Sequence, residues 1–242
     1  MTLVRWHEAT REQLTSLLPI ALVIVPVGAV EQHGPHLPTG TDSLVAQDVV
    51  DRATALADAE AVRPLVVAPP VWIGVSDHHI EFGGTLSFSP ETMIAVLLDI
   101  ARSVAEAGGL RLVFVNGHGG NRGPCATAAA IASTRHELAT AYADYWELAE
   151  SDDPAVPGHA GRFESSLVQA IRPDLVGDLP VRPAPPDVPV VPGFNLYSSA
   201  IWRAIDGYTD DPSRASRGQG KAWLDACVSA LAKRLVELAS AL

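Results

Sequence analysis

Six of the eight histidines stand beside glycines and carboxylates: His33, His36, His78, His79, His118 and His159. The first group lies in Gly28-Ala-Val-Glu31-Gln-His33-Gly-Pro-His36-Leu-Pro-Thr-Gly-Thr-Asp42. Glu31 and His33 are two apart, so an extended segment points them to the same side. Asp42 returns after a Gly/Pro turn. Two carboxylates and an imidazole suit a divalent transition ion, and they offer enough acceptors to hold two with one carboxylate bridging. A plainer reading makes Asp42 the cap of a helix starting at Ser43. The second group is Asn116-Gly-His118-Gly119-Gly120-Asn121. Its glycines let backbone approach a ligand, and it opens onto a helix N-terminus that attracts anions. His118 is then a metal ligand, or an exposed side chain on a phosphate-cradling loop. The third group is Gly158-His159-Ala-Gly-Arg162-Phe-Glu164. His159 suits proton transfer near neutral pH. Glu164 is a candidate ligand, or an acid favoured in a first helical turn by the dipole. In a fourth group, Gly74 to Ser87, residues Ser76, His78 and Thr85 line a pocket or orient ligands, while His79 reads as structural.

Other chemistries find less support. There is no Gly-x-Ser-x-Gly elbow, Walker A loop or Gly-x-Gly-x-x-Gly turn. Cys125 has no base beside it and reads as a small buried residue. Lys and Arg total 17 against 28 Asp and Glu, a net charge of −11, which disfavours nucleic acid. No apolar run approaches the roughly 20 residues of a membrane span, and the first residues lack the apolar core of a signal peptide. Cys125 and Cys227 form no disulfide framework. The expectation is a soluble cytoplasmic protein that contacts neither nucleic acid nor membrane.

The elements that must position these groups alternate. Apolar runs at 21–27, 65–71 and 110–116, with a weaker one at 139–145, read as parallel strands buried on both faces. Helical patterns fall at 43–56, 91–107, 121–136, 164–171 and 218–242. Together they predict an α/β fold, with residues 1–242 as a single three-layer α/β/α domain around a mainly parallel sheet. Ligands of such sheets bind beyond the carboxyl ends of the strands, where the histidine groups fall. The proline-rich stretch 172–199 reads as an extended loop.

The block from Pro26 to Asp42 resembles the signature of the creatininase (creatinine amidohydrolase) family. Phe82-Gly-Gly-Thr85-Leu-Ser87, Val115 to Asn121, and His159-Ala-Gly-x-x-Glu164 follow the family's later blocks in order, and Asp211-Pro-Ser-Arg-Ala215 resembles its last. The likeness runs from about Trp6 to the final helix. It implies an amidohydrolase with two divalent ions (Zn, Fe or Mn) that cleaves C–N bonds of cyclic or linear amides, formamides or peptide ends. It implies that Glu31 and His118 bind one ion and His33 the other, that Asp42 bridges them, and that His159 carries the proton to the leaving nitrogen. It also implies a homo-oligomer, a hexamer. Creatininases have Tyr and Glu where this chain has Gly119 and Gly120. The second ion thereby loses a carboxylate, which Glu164 or water replaces, and creatinine is not the expected substrate. The Gly-His-Gly-Gly-Asn version marks a branch that includes formamide deformylases and a peptidase. Ser76, Gly119, Trp146 and Arg162, with the proline-rich segment through Asn195, are expected to shape the substrate pocket, Arg162 by pairing with a substrate carboxylate. The competing expectation is a non-catalytic metal- or ligand-binding relative. A nucleotide-binding loop at 117–121 would leave the Glu31 group unexplained.

Overall fold

The computed structural model describes residues 3–183, 185–186 and 191–242. Five parallel strands, β1 (Val4–Arg5), β2 (Leu22–Val27), β3 (Leu65–Val67), β4 (Arg111–Asn116) and β5 (Ala139–Asp144), form one sheet in the order β1-β3-β2-β4-β5. β2 lies at its centre and is fully buried. Its side chains alternate between two cores. Leu22 and Ile24 pack with Val45, Val49 and Leu231 on one face, while Val23, Val25 and Val27 pack with Met93, Leu97 and Phe114 on the other. Each such buried aliphatic is worth about 1.5–3 kcal/mol.

Helices cover both faces. α2 (Thr41–Ala57), α6 (Arg162–Ile171) and α8 (Arg217–Ala241) supply one layer, and α3 (Pro90–Glu106) and α4 (Arg122–Arg135) the other. The shorter α1 (Arg11–Leu17), α5 (Tyr145–Leu148) and α7 (Ser199–Ala204) complete the set. α3 starts as its sequence predicts: Ser89 accepts a hydrogen bond from the Thr92 amide, and Pro90 occupies the first turn. No described helix is long and apolar enough to cross a membrane.

Three elements differ from expectation for local reasons. The strand expected at 65–71 ends at Val67, because Pro69 and Pro70 have no N–H to pair; Val71 rejoins the sheet only as a bridge to Val27. α2 begins at Thr41 with Gly40 at its cap, so Asp42 sits inside the first turn and is not the cap. β1 has too few residues to show any periodicity. Cys125 is buried, as expected. The proline-rich stretch opens on a 3-10 turn at Pro173–Leu175 and is otherwise irregular up to α7 where it is described; Ala184 and Asp187 to Val190 lie outside the described residues.

Register sets up the site. Val27, the last residue of β2, pairs with Asn116, the last of β4, and Asn116 pairs with Asp144, the last of β5. The loops carrying Glu31 and His118 therefore leave the sheet side by side, at its carboxyl edge.

Candidate metal centre

The Glu31 loop is held against the start of α2. The Ser43 hydroxyl donates to the carbonyls of Ala29 and Trp72, and a side chain at Gly28 would strike Ser43 at 2.3 Å, so only glycine allows this approach. The His118 loop is clamped by Asn116. Its Oδ1 accepts from the amide N–H of His118 and from the Asn121 carboxamide, and its Nδ2 donates to the His118 carbonyl and to Asp144. His159 is tied to Thr209 through its backbone N–H, and the Ala160 amide donates to Glu164 Oε2 at 2.6 Å.

These loops bring Glu31, His33, Asp42, His118, His159 and Glu164 into one buried cluster. The His33 Nε2 lies 3.2 Å from Asp42 Oδ1 and 3.4 Å from Glu164 Oε2. The His118 Nδ1 lies 3.3 Å from Glu31 Oε1 and 3.1 Å from Asp42 Oδ2. The His159 Nδ1 lies 3.3 Å from the same Glu31 oxygen. Asp42 thus faces both halves of the cluster, one oxygen to each.

The remote ring nitrogens identify what the near ones are for. His33 Nδ1 is 3.1 Å from the Glu31 carbonyl, His118 Nε2 is 2.9 Å from the Val75 carbonyl, and His159 Nε2 is 2.9 Å from the Gln32 carbonyl. A carbonyl only accepts, so each of these nitrogens carries the hydrogen and donates it. In a neutral ring the other nitrogen is then a bare lone pair aimed at carboxylates, the arrangement of metal-ligating histidines. Both Glu31 oxygens, Asp42 Oδ2 and His33 Nε2 are buried without a hydrogen-bond partner. Buried acceptors facing one another are stable only with cations or protons between them. Among the described residues, three sets offer donor atoms within 4.8 Å of one another: Glu31, His78 and His118; Glu31, His33 and His159; and His33, Asp42 and Glu164. The mixed imidazole and carboxylate donors fit Zn, Fe or Mn.

With protons as the only cations, the electrostatics show the same demand. Burial pushes the Glu31 carboxyl up to about 7. Burial opposes charging His118, yet Glu31 and Asp42 bring it up to about 9. Burial likewise works against His33, which Glu164 and Asp42 nevertheless raise well above the usual imidazole range. Asp42 is held far below the usual carboxylate range by His33 and His118, against its own burial. Burial, then the neighbouring His33, pushes His159 well below the usual range and keeps it neutral.

Gly120 shows why no ligand comes from that position. A Cβ there would lie 2.1 Å from the Val75 carbonyl oxygen and 2.5 Å from His118 Nε2. Glu164 stands beside His33 from the other side of the cluster. Gly119 faces open space, with nothing within 4 Å of where a side chain would begin. The other expected pocket residues are placed differently. Ser76 is buried, its hydroxyl 3.4 Å from His118 Nε2, so it flanks the cluster from behind that ring. Trp146 packs in the core with Tyr145, beneath Arg122. Arg162 pairs with Asp153 and lies 5.5 Å over the Trp223 ring. His36 bonds Ser165 at 2.8 Å and stays out of the cluster. His78, expected to line a pocket or orient ligands, and His79, expected to be structural, both enter it: His78 joins a ligand set, and His79 Nε2 approaches Glu31 Oε1 to 3.7 Å. Their adjacency in a loop following a strand was the available signal.

A parallel sheet covered on both faces, with carbonyl-tethered imidazoles and buried carboxylates at its carboxyl edge, defines an α/β protein with a candidate metal site. The sequence matches the creatinine amidohydrolase (creatininase) family over residues 7–235, and the chain belongs to that family. It is 36% identical over 229 residues to the mycofactocin precursor peptide peptidase of Mycolicibacterium smegmatis, covering 94% of this chain and 88% of the relative. It is 29% identical over 241 residues to the creatinine amidohydrolase of Pseudomonas putida, covering 89% of each. Among solved structures, a manganese creatininase superposes with a TM-score of 0.82 at 26% identity, covering 98% of both chains. A variant creatininase described as Zn-Zn type superposes at 0.80, also with 26% identity and 98% coverage of both chains.

Proposed function

We propose that this chain is a dinuclear metal-dependent amidohydrolase, a single catalytic domain that cleaves the C–N bond of a small cyclic or linear amide, a formamide or a peptide end. Glu31, His33, Asp42, His118 and Glu164 hold two divalent ions (Zn, Fe or Mn), with Asp42 shared. The observation that carries this reading is the trio of imidazoles, each tethered by a backbone carbonyl so that its lone pair meets a buried carboxylate. Such ions, when bound, polarise an amide carbonyl and make a water nucleophilic near neutral pH.

The chain's own residues supply the rest. His159 is neutral and donates Nε2–H to the Gln32 carbonyl, so its Nδ1 accepts a proton inside the site. Returned to the departing nitrogen, that proton turns a poor leaving group into an amine. Gly119 leaves room for a substrate where a creatininase carries an aromatic ring. The relatives named as peptide peptidases favour a peptide end over creatinine. The reading extends to a cytoplasmic homo-oligomer, a hexamer; the exposed Phe194, Leu196 and Tyr197 supply apolar surface for association.

The test is metal analysis of the purified protein together with an amide panel of creatinine, N-formyl amines and short peptides. Turnover should vanish with a chelator and return with zinc, iron or manganese, with creatinine left intact. A protein that binds two ions and hydrolyses nothing would be the non-catalytic relative. One that binds none refutes the centre itself.

A further inference from the structure

Four buried imidazoles surround the two halves of the centre, and one differs in kind. His33, His118 and His159 each donate from one ring nitrogen to a backbone carbonyl and turn the other nitrogen inward. His79 is fully buried, with its ring stacked on His159 at 4.2 Å and edge-on to Trp202 at 4.6 Å. Its Nε2 points at Glu31 Oε1 from 3.7 Å, beyond hydrogen-bond range, and has no partner.

The protonation of His79 follows from Gln32. The Gln32 Oε1 accepts from the Gly34 amide at 3.0 Å, and its Nε2 donates to the Gly207 carbonyl at 3.0 Å. An amide N–H only donates and a carbonyl only accepts, so these two backbone groups permit one orientation of the carboxamide. One Nε2 hydrogen remains. Two ring nitrogens lie 3.1 Å away, His159 Nε2 and His79 Nδ1. His159 Nε2 already donates its own hydrogen to the Gln32 carbonyl, so it cannot accept. The remaining hydrogen goes to His79 Nδ1, which must be the bare nitrogen. The hydrogen of the neutral His79 ring is therefore on Nε2, directed inward.

We propose that Gln32 is a positioning residue that holds His79 as its Nε2–H tautomer, and that His79 is the hydrogen-bond donor of the site, placed for the oxygen of the scissile amide. The donor role rests on the amidohydrolase reading above; the tautomer does not. As the amide carbon becomes tetrahedral, charge accumulates on that oxygen, and a preorganised N–H stabilises it without reorganising. Gln32 thus imposes opposite characters on two stacked rings. Its backbone carbonyl makes His159 a proton acceptor, and its side chain makes His79 a donor.

The test begins without substrate. In histidine-labelled, zinc-loaded protein, long-range 1H–15N correlation reads which nitrogen of each ring is bare, and the His79 signals are assigned by their loss in His79→Gln. The expected pattern is bare Nδ1 and protonated Nε2. In Gln32→Glu, whose carboxylate cannot donate, the hydrogen should move to Nδ1. A wild-type His79 protonated on Nδ1 overturns the proposal, with no variant needed. The kinetic arm compares His79→Gln, whose side-chain amide can still donate, with His79→Met, which cannot. His79→Met should lose about 100-fold in kcat with KM and zinc content unchanged, and His79→Gln should recover much of it. Equal kcat in the two variants overturns the donor role. Absent turnover in the wild type refutes the amidohydrolase reading instead, and the tautomer pattern is read independently of it.

Discussion

Asp42 is the residue on which both halves of the centre depend, with one oxygen 3.2 Å from His33 and the other 3.1 Å from His118. On the proposed two-ion reading, Asp42→Ala should remove both ions, whereas His33→Ala, which touches one half, should retain one; elemental analysis of the purified variants separates these outcomes. His159→Ala should keep both ions and the fold while lowering kcat by about 10²–10⁴-fold. The loss should shrink on an ester analogue, whose leaving oxygen needs less protonation. Glu31, His33, Asp42, His118, His159 and Glu164 were all readable as candidates, because carboxylates and imidazoles punctuated by glycine are conspicuous in a chain. Gln32 was not, since its importance lies in contacts to His79 and Gly207, 47 and 175 positions away. For Arg162 and Trp146 the sequence displays a charge and a large ring, but not the ion pair with Asp153 or the core packing that engages them.

At the scale of elements, the position of Glu164 depends on how closely α6 meets α8. A methyl group at Gly220 would come within 1.8 Å of the Ser166 carbonyl oxygen, two residues beyond Glu164. Gly220→Ala should therefore push α6 outward. The overpacking cost is about 1–3 kcal/mol, which lowers Tm by roughly 2–12 °C for a domain of this size. The ion beside His33 should weaken with it, while the one beside His118 is spared. Scanning calorimetry and a two-site zinc titration read the two effects. Gly120→Glu, which formally restores the creatininase carboxylate, should fail to create creatininase activity, because its Cβ has no room beside the Val75 carbonyl. The strands and long helices were legible from apolar runs and glycine stops. Their spatial order was not: that β1 pairs with β3 at the sheet edge depends on register across 62 residues, Val4 to Val66, which no local pattern encodes.

For the whole molecule, protons and metal ions compete for the same buried space. His118 is raised from 6.5 to about 9 in the cation-free chain. The stability this proton lends is fully present below pH 6.5 and lost as pH rises through about 9. Coordination needs the bare nitrogen, so metal affinity should rise with pH, with Glu31 releasing its proton near 7 and His118 near 9. Zinc binding at pH 7.5, a value between those two, should therefore release protons. Calorimetry in buffers of different ionisation enthalpy checks this, and a buffer-independent enthalpy would contradict it. The thermal gain from zinc should be larger at high pH, where the proton no longer substitutes.

The carbonyl tethers on His33, His118 and His159 have a consequence for biogenesis. They are built from backbone, so the rings are oriented as soon as the chain is folded, before any ion arrives. On the proposed function, metallation should be a late event, an exchange of protons for ions in a finished receptacle. It requires no partner to pry the fold open. On the same reading, the ion in the centre should be set by supply after folding: removing zinc from the native protein with a chelator and then adding manganese should reload it without a refolding step.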